Sequence, residues 1–333
     1  MTKHPPFAVL IIALALLVAA LAFASMITGP QGAGAFDLIG LLGADPDTAW
    51  LIMREVRLPR TALAVLEGAT LGLAGATLQG FLRNPLADPG VIGVSSSASL
   101  FAVIVFYAGL GQYLGGLALP LAAIAGAMLC VLVLKMLAGR GGVLTLILAG
   151  VAISSISGAI MQLALNLSPN PFATQEILFW LMGSVTDRSL DHVWLATPFM
   201  LAGWALLATT APSLDVMSLG EEAAASLGVN IPRTTTLIAL GVALSVGAGA
   251  AVTGGIGFVG LVVPHLLRPL VGHKPSRLLP ASALAGAALL TAADIFIRLV
   301  AIGPELKLGV VTALIGAPFF LWLVFKARAE LEA

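Results

Sequence analysis

The sequence predicts an all-α membrane protein with about ten transmembrane helices, and three observations lead to this fold class. Of the 333 residues, 59% are hydrophobic and 10% are charged, whereas a typical soluble domain is about 25% charged. Apolar stretches of roughly 20 residues recur, and in lipid they must be helical because each segment has to bond its own backbone polar groups. The 37 glycines suit close helix packing.

Ten spans follow from the apolar runs, and together they make residues 1–333 a single transmembrane domain. The eighth is the weakest pattern, because glycines, Pro264 and Arg268 interrupt it. The segment 29–58 is too polar and glycine-rich to span, and it predicts a loop with a short surface helix. The predicted spans are 7–28, 59–81, 91–109, 114–137, 143–166, 192–210, 234–253, 256–271, 279–300 and 308–326.

The first apolar run allows two interpretations. Lys3 and His4 precede it, and Ala22-Phe23-Ala24 resembles a signal-peptidase site, so a cleaved signal peptide is an alternative. The run from Phe7 to Ala24 is longer than the usual apolar region of a signal peptide. Its length favours a first transmembrane span.

The distribution of Lys and Arg predicts that both termini lie in the cytoplasm. This orientation places ten of the sixteen basic residues inside and six outside. The exception is local, since Arg54, Arg57 and Arg60 cluster at the outer entrance of the second span. A weak inverted repeat is also visible, because Arg60-Thr61 and Arg233-Thr234 each open a span and have a glycine eight residues after the arginine. Inverted repeats are a common transporter architecture.

The segment 211–233 is the longest non-apolar stretch on the predicted cytoplasmic side. Ser218 and Glu221 have the spacing of a capping box for a short helix, and Gly228 can end that helix in the left-handed conformation. The segment is either a solvated connector or a docking helix for a partner, and local sequence does not choose between them.

Two glycine- and proline-containing segments predict breaks between spans. Pro85, Asn84 and Asp88 favour a tight structural hairpin in the segment 83–90. The glycine-rich segment 254–260 favours irregular backbone, which membranes tolerate only where protein or a water-filled cavity covers it.

Charged residues inside predicted spans are functional candidates. Asp294 and Arg298 lie four apart and predict an ion pair on one helix face. Glu67 lies about two turns into the second span and is either a pathway residue or a protonated packing residue.

Several function classes lack their sequence signals. The chain has no phosphate-binding loop, so it should not bind ATP as its own motor. Zero net charge excludes a general nucleic-acid footprint. Cys130 is the only cysteine, and His265 and His273 are too isolated for a metal site. We therefore predict neither an enzyme nor a metalloprotein.

Five sequence blocks resemble the iron-siderophore/vitamin B12/haem permease family, in order and over nearly all of the chain after about residue 50. The blocks are Arg57-Leu-Pro-Arg60, the run Leu-Gln-Gly-Phe-Leu-Arg-Asn-Pro-Leu-Ala-Asp-Pro-Gly at 78–90, Gly-Glu-Glu-Ala-Ala-Ala-Ser-Leu-Gly at 220–228, Gly-Phe-Val-Gly-Leu-Val-Val-Pro-His at 257–265, and Gly-Val-Val-Thr-Ala-Leu-Ile-Gly-Ala-Pro-Phe-Phe at 309–320.

This resemblance implies a type II ATP-binding-cassette importer in the bacterial inner membrane. Such a machine contains two copies of a ten-helix permease, two cytoplasmic ATPase subunits that bind ATP and Mg, and a periplasmic substrate-binding protein. The expected substrate is a ferric siderophore, with vitamin B12 or haem as alternatives. An ion-coupled secondary transporter using Glu67 and Asp294, and a membrane scaffold that transports nothing, are rivals from other classes.

The resemblance also implies roles for particular residues. Arg57, Arg60 and Arg298 would receive acidic residues of the binding protein. Val143 and Leu144 stand at the position of the cytoplasmic gate, although they are more apolar than the small hydroxyl pair of the B12 permease. The ATPase-coupling helix would comprise Glu221, Glu222, Ala223, Ala224, Ser226, Leu227 and Gly228.

Two residues depart from the family pattern. Glu67 stands where the family is usually apolar, so no role can be carried over to it. Lys307 follows Glu305-Leu306 where the family usually continues with proline, which could change the charge at the outer entrance.

Overall fold

The computed structural model describes residues 6–29, 40, 43–109, 118–138, 143–168, 171–300 and 305–332, and the chain is helical through most of these ranges. Its first seven helices are α1 (Phe7–Ile27), α2 (Pro46–Ile52), α3 (Leu58–Phe81), α4 (Val94–Tyr107), α5 (Ala118–Ala138), α6 (Val143–Asn166) and α7 (Pro171–Leu181). The next seven are α8 (Leu190–Thr209), α9 (Ala211–Met217), α10 (Glu221–Ser226), α11 (Ile231–Thr253), α12 (Val259–Leu267), α13 (Pro275–Val300) and α14 (Leu308–Glu332).

The predicted membrane bundle is confirmed. Seven helices in the described ranges are long and apolar enough to cross a membrane, and three shorter apolar helices occupy the remaining predicted spans. The shorter ones are Val94–Tyr107, Val259–Val271 and Leu308–Leu323. All ten predicted spans thus coincide with an apolar helix.

The helix boundaries differ from the prediction in three places. The short helix expected within 29–58 is present as α2, but no loop separates it from the second span, because α2 and the π-helical turn Met53–Arg57 run without a break into α3. The short helix α7 was not predicted. The eighth span is a nine-residue helix, α12, followed by the 3-10 turn Arg268–Val271. Polar residues weaken the apolar pattern of α2 and α7, and glycines interrupt that of the eighth span.

Helix α3 is the most enclosed element of the bundle and packs against α13, α12, α11 and α8. Its glycines permit this packing. A Cβ added at Gly72 would lie 2.0 Å from the Ser282 carbonyl oxygen of α13, and one added at Gly75 would lie 2.0 Å from the Gly260 carbonyl oxygen of α12. The backbones are therefore in direct contact, as small-residue membrane interfaces allow.

Helices α4, α5 and α6 extend the bundle on the side of α11. Helix α11 runs antiparallel to α3, because Ile231 at its start lines a groove with Arg83 just after α3, whereas Gly249 near its end lies against Glu67 in the first half of α3. Arg60 and Arg233 therefore open their helices at opposite ends of the bundle, as an inverted repeat requires. We call these ends the Arg60 end and the Glu221 end.

Helix α1 packs along α13 and also touches α3. Its Ser25 is fully buried and shares a 2.7 Å hydrogen bond with Thr61 of α3. These contacts make α1 part of the bundle and favour the interpretation of a first span over that of a cleaved signal peptide.

Candidate functional site

A buried ion cluster closes the Arg60 end. Asp294 of α13 is 1% exposed and lies between two guanidinium groups. Arg60 of α3 donates from Nε and Nη2 to its carboxylate at 2.8–3.1 Å. Arg298 donates to the same carboxylate at 2.7 Å, which confirms the predicted i,i+4 ion pair. This cluster joins α3 to α13 by the bidentate geometry that arginine and carboxylate favour.

Helix α1 completes the cluster through its last turn. Nη1 of Arg298 donates to the carbonyl oxygens of Ser25 at 2.9 Å and Thr28 at 2.7 Å, and Nη2 donates to the Ser25 hydroxyl. Arg57 donates to the Met26 carbonyl oxygen at 2.9 Å. The exposed carbonyls at the C-terminus of a helix carry partial negative charge, so they suit these cations.

Glu305, just before α14, is a member of the cluster that sequence reasoning missed. Its carboxylate accepts a short hydrogen bond from Nη2 of Arg60, and 26% of its side chain is exposed. The two acids Asp294 and Glu305 thus balance the charges of Arg60 and Arg298. No local pattern links residues 60 and 305, and only the folded bundle brings them together.

The three predicted docking arginines lie together at the Arg60 end, but they do not form an open surface. Arg57 is 7% exposed, Arg60 is 8% exposed and Arg298 is 2% exposed. Their docking role stays a prediction. The structure adds the condition that a partner must compete with bonds already made inside the chain, and the bond between Arg60 and the partly exposed Glu305 is the most accessible of them.

The opposite end carries the predicted coupling segment. Helix α10 begins after Gly220, whose backbone has φ 115°, and Gly228 follows its C-cap Leu227 with a φ of 88°, which gives the predicted left-handed termination. The predicted capping box is wrong, because Gly220 is the N-cap and the Ser218 hydroxyl donates to the Asp215 carbonyl oxygen instead. Ser218 continues the turn that ends α9, so its side chain cannot reach α10.

Helix α10 presents most of its surface to solvent. Glu222 is exposed, Leu219 and Leu227 on either side are 69% and 66% exposed, and only Ala224 is fully buried. A groove of about 800 Å³ runs beside it, lined by Arg83, Ile231 and the stretch 219–225 except Ala224. The segment therefore combines acidic and apolar surface next to a cleft.

The hairpin predicted at 83–90 is confirmed. The Asn84 side chain accepts from the Leu86 backbone N–H at 2.9 Å, and Asp88 accepts from that of Gly90 at 2.9 Å. Burial raises the pKa of the Asp88 carboxyl, and the hydrogen bond from Gly90 acts against this shift. These short-range bonds fix the turn next to the groove of α10.

A second bond network holds the end of α3 to α12. The Gln79 amide donates to the Leu261 carbonyl oxygen at 3.1 Å and accepts from Arg268 at 2.8 Å. The glycine segment 254–260 leads into α12 with positive φ at Gly254 and Phe258. Protein covers the start of this irregular backbone, because a Cβ at Gly254 would lie 2.0 Å from the Trp180 carbonyl oxygen, whereas Gly257 is exposed.

The two remaining candidate sites are the pathway residue Glu67 and the gate residues Val143 and Leu144, and the structure describes only the first of them fully. Glu67 is 1% exposed, and its Oε2 has no hydrogen-bond partner among the described residues. The carboxylate lies against the backbone of Gly249, where a Cβ would be 1.9 Å from Oε2. Val143 and Leu144 form the first turn of α6, but their side chains lie outside the described part of the chain.

Helix α6 has an exposed face that combines polar and apolar residues. Ser155, Gln162 and Asn166 are exposed on it, and their spacing of seven and four places them on one side of the helix. Large apolar side chains accompany them on this helix, with Ile156 at 60% and Leu163 at 56% exposure. Amide side chains are costly against lipid, so this face suits a water-filled path or another protein subunit.

Comparisons with known proteins identify the family of this chain. Residues 12–326 match the model of the FecCD transport family. The chain is 38% identical to the Fe(3+)-citrate import system permease protein YfmE of Bacillus subtilis, covering 98% of both chains. It is 42% identical to the vitamin B12 import system permease protein BtuC of Vibrio cholerae, covering 87% of this chain and 88% of that one.

A haem relative and a solved structure extend these similarities. The hemin transport system permease protein HmuU of Yersinia pestis is 37% identical, covering 85% of this chain and 86% of that one. A solved structure of an inward-facing metal-chelate type ABC transporter superposes with a TM-score of 0.84 at 31% identity, covering 95% of this chain and 98% of that one. The relatives share a transport role and differ in the substrates they are named for.

Proposed function

The chain belongs to the FecCD transport family, the permeases of ABC importers for iron chelates, vitamin B12 or haem, and we propose that its own substrate is a ferric siderophore. The substrate would pass from the periplasm to the cytoplasm. Vitamin B12 or haem in the same machinery is the alternative, because relatives named for ferric citrate, B12 and hemin match at 37–42% identity.

The polar face of α6 is the observation that carries the transport path. Gln162 and Asn166 are exposed in the single chain, although α6 is apolar enough to cross a membrane. A second copy of the chain, facing the first across α6, would enclose these amides in a shared aqueous path and keep them from lipid. We therefore propose a homodimer whose path runs along α6.

We propose that α10 couples this path to a separate ATPase subunit. Support comes from the exposure of Glu222 and Leu227 and from the adjoining groove. An apolar anchor beside acidic residues suits a cleft with basic walls. ATP-driven closure of two ATPase subunits would push both copies of α10 and so reorient the spans between outward and inward access.

The proposed orientation places the Glu221 end and both termini in the cytoplasm. The Arg60 end would then face the periplasm with basic residues that the positive-inside rule disfavours there. Arg60 and Arg298 are bonded to Asp294, and Arg60 is also bonded to Glu305. Of the three arginines in the apparent exception, Arg60 thus has its charge balanced within the bundle.

At that periplasmic end we propose that a substrate-binding protein docks and delivers the chelate. Its acidic residues would replace Glu305 as the partner of Arg60, and the positive charge of Arg57 would attract them as well. The secondary-transporter rival loses its support, because Asp294 is held by two guanidinium groups and the family consists of ABC permeases. The scaffold rival has no further observation in its favour.

Reconstitution tests the proposal. The full chain, its candidate ATPase and its candidate binding protein would be placed in liposomes loaded with ATP, and uptake of a ferric siderophore, cyanocobalamin and hemin would be compared. We expect ATP-dependent uptake of the ferric siderophore. Uptake of only one of the other two would overturn the substrate, and uptake that persists without ATP hydrolysis would overturn the coupling to an ATPase.

A further inference from the structure

A cavity of about 200 Å³ lies near the Arg60 end, on the side of the bundle away from the ion cluster. It is enclosed by the end of α4, the start of α5, α7, the start of α8 and the end of α11. Its walls are mostly apolar, and they include Arg188 and His192, one cationic and one potentially cationic side chain. The main lining residues are Phe106, Leu119, Ile177, Trp180, Arg188 and His192.

Arg188 brings an uncompensated cation to this cavity. Its Nε is buried and has no hydrogen-bond partner among the described residues. Burial lowers the pKa of the Arg188 guanidinium, and the charge of Asp187 acts against this shift without a hydrogen bond. Asp187 is exposed and is held at φ 57°, and none of the described residues that line the cavity carries a carboxylate. A desolvated donor of this kind is costly until an acceptor reaches it.

His192 supplies a second donor to the same space. Its Nδ1 accepts a hydrogen bond from the Ser189 backbone N–H at 3.3 Å and lies 2.9 Å from the Ser189 hydroxyl. Because Nδ1 serves as an acceptor, the neutral ring carries its proton on Nε2. The residues that line the cavity thus include two side chains with N–H donors beside the apolar ones.

We propose that this cavity binds a small organic anion, with a carboxylate or phosphate group between Arg188 and His192 and a compact apolar body among the aromatic and aliphatic side chains. The volume suits one ring or a short acyl chain, since an apolar cavity of about 150 Å³ holds one benzene molecule. The anion could be a soluble compound or the end of an anionic lipid. This proposal is independent of the transported substrate.

Binding of 3-phenylpropionate to the full chain in detergent tests the site, with 3-phenylpropanol as the neutral probe and inorganic phosphate as the probe without an apolar body. We expect saturable binding of 3-phenylpropionate and at least about tenfold weaker binding of the other two, because charged hydrogen bonds and apolar burial both contribute. Equal binding of the acid and the alcohol would overturn the proposal.

Variants locate the binding. Arg188→Gln should weaken 3-phenylpropionate binding about tenfold or more, whereas Arg54→Gln, at a surface arginine whose side chain is 62% exposed, should leave it unchanged. Ala102→Leu should fill the cavity and abolish binding while Arg188 is intact, since Ala102 is 1% exposed and lines the wall. Unchanged affinity in both Arg188→Gln and Ala102→Leu would contradict the site.

Mass spectrometry of the purified chain separates the two sources of anion. An anionic phospholipid that remains after delipidation in the unaltered protein, and is lost in Arg188→Gln, would assign the site to a lipid. Phenylpropionate binding to protein that retains no phospholipid would assign it to a soluble anion. Retention of the same lipid by Arg188→Gln, together with unchanged phenylpropionate affinity, would reject both.

Discussion

The two ends of the bundle treat charge in opposite ways. At the Arg60 end, Asp294 and Arg298 are almost fully buried and bond each other inside the protein. At the Glu221 end, Glu222 stands in solvent and α10 buries little beyond Ala224. The charges at the Arg60 end therefore hold helices together, whereas the charges at the Glu221 end are available to a partner. Substitutions at the two ends should separate stability from assembly.

The largest loss of stability is expected from Asp294→Asn. The change leaves Arg60 and Arg298 without their shared carboxylate in a buried site, and breaking such a pair costs about 3–5 kcal/mol. Thermal unfolding of the purified protein in detergent measures the loss. Glu55→Gln is the matched control, because Glu55 is an acid near the same end with a side chain 45% exposed. Equal melting temperatures for the two variants would mean that the cluster does not hold the Arg60 end.

A substitution between the two ends should have the next largest effect. Gly72→Ala would place its methyl group 2.0 Å from the Ser282 carbonyl oxygen, and overpacking of this kind costs about 1–3 kcal/mol. Gly158→Ala in α6 is the control, because an added Cβ there meets nothing within 4 Å and alanine favours helix by about 1 kcal/mol. The two melting temperatures should shift in opposite directions, and a shared direction would contradict the backbone contact.

Glu305→Gln should have a smaller effect on stability and a larger one on docking. Asp294 still holds Arg60, so we expect a loss of only about 1 kcal/mol or less for this partly exposed pair. Glutamine can still accept from Arg60 but carries no negative charge, so a binding protein should bind more tightly, and salt should weaken that binding. Calorimetric titration with the binding protein measures the change. Unchanged affinity would show that Glu305 does not compete for the docking surface.

The smallest change in stability is expected at the Glu221 end. Glu221→Lys with Glu222→Lys should shift stability by at most about 0.5 kcal/mol per site, as usual for surface positions. The same double variant should lose its ATPase subunit in co-purification. Asp47→Lys, at another surface acid outside this end, should retain it. Co-purification at the level of the unaltered chain would leave α10 without its proposed role.

The sequence predicted the bundle well because apolar composition acts at every position of a span. All ten predicted spans coincide with apolar helices, since lipid requires each long apolar segment to satisfy its backbone by itself. The hairpin at Asn84 and Asp88 was also predictable from local sequence, because its hydrogen bonds join residues two apart. The family was predictable from ordered local blocks such as the one at 78–90.

Errors arose where local signals were weak or competed. A short helix was expected in the segment 29–58, but its continuation into α3 was not predicted, because the segment is polar and glycine-rich. Asp45 caps α2 by accepting from the Thr48 backbone N–H at 3.2 Å. The capping box at Ser218 had the correct spacing, but the turn that ends α9 engages that hydroxyl first. Spacing alone does not show which of two adjoining turns a side chain will serve.

By itself, the sequence determined that this chain is a helical membrane permease of a known family, because composition, apolar length and motif order are local properties. Only the tertiary structure decided what its charged residues do. Arg60 meets Asp294 across 234 residues and Glu305 across 245 residues, and Arg188 meets a cavity built by five helices. Such contacts depend on how helices pack, and helix packing is fixed by many small complementary surfaces together and not by any one segment.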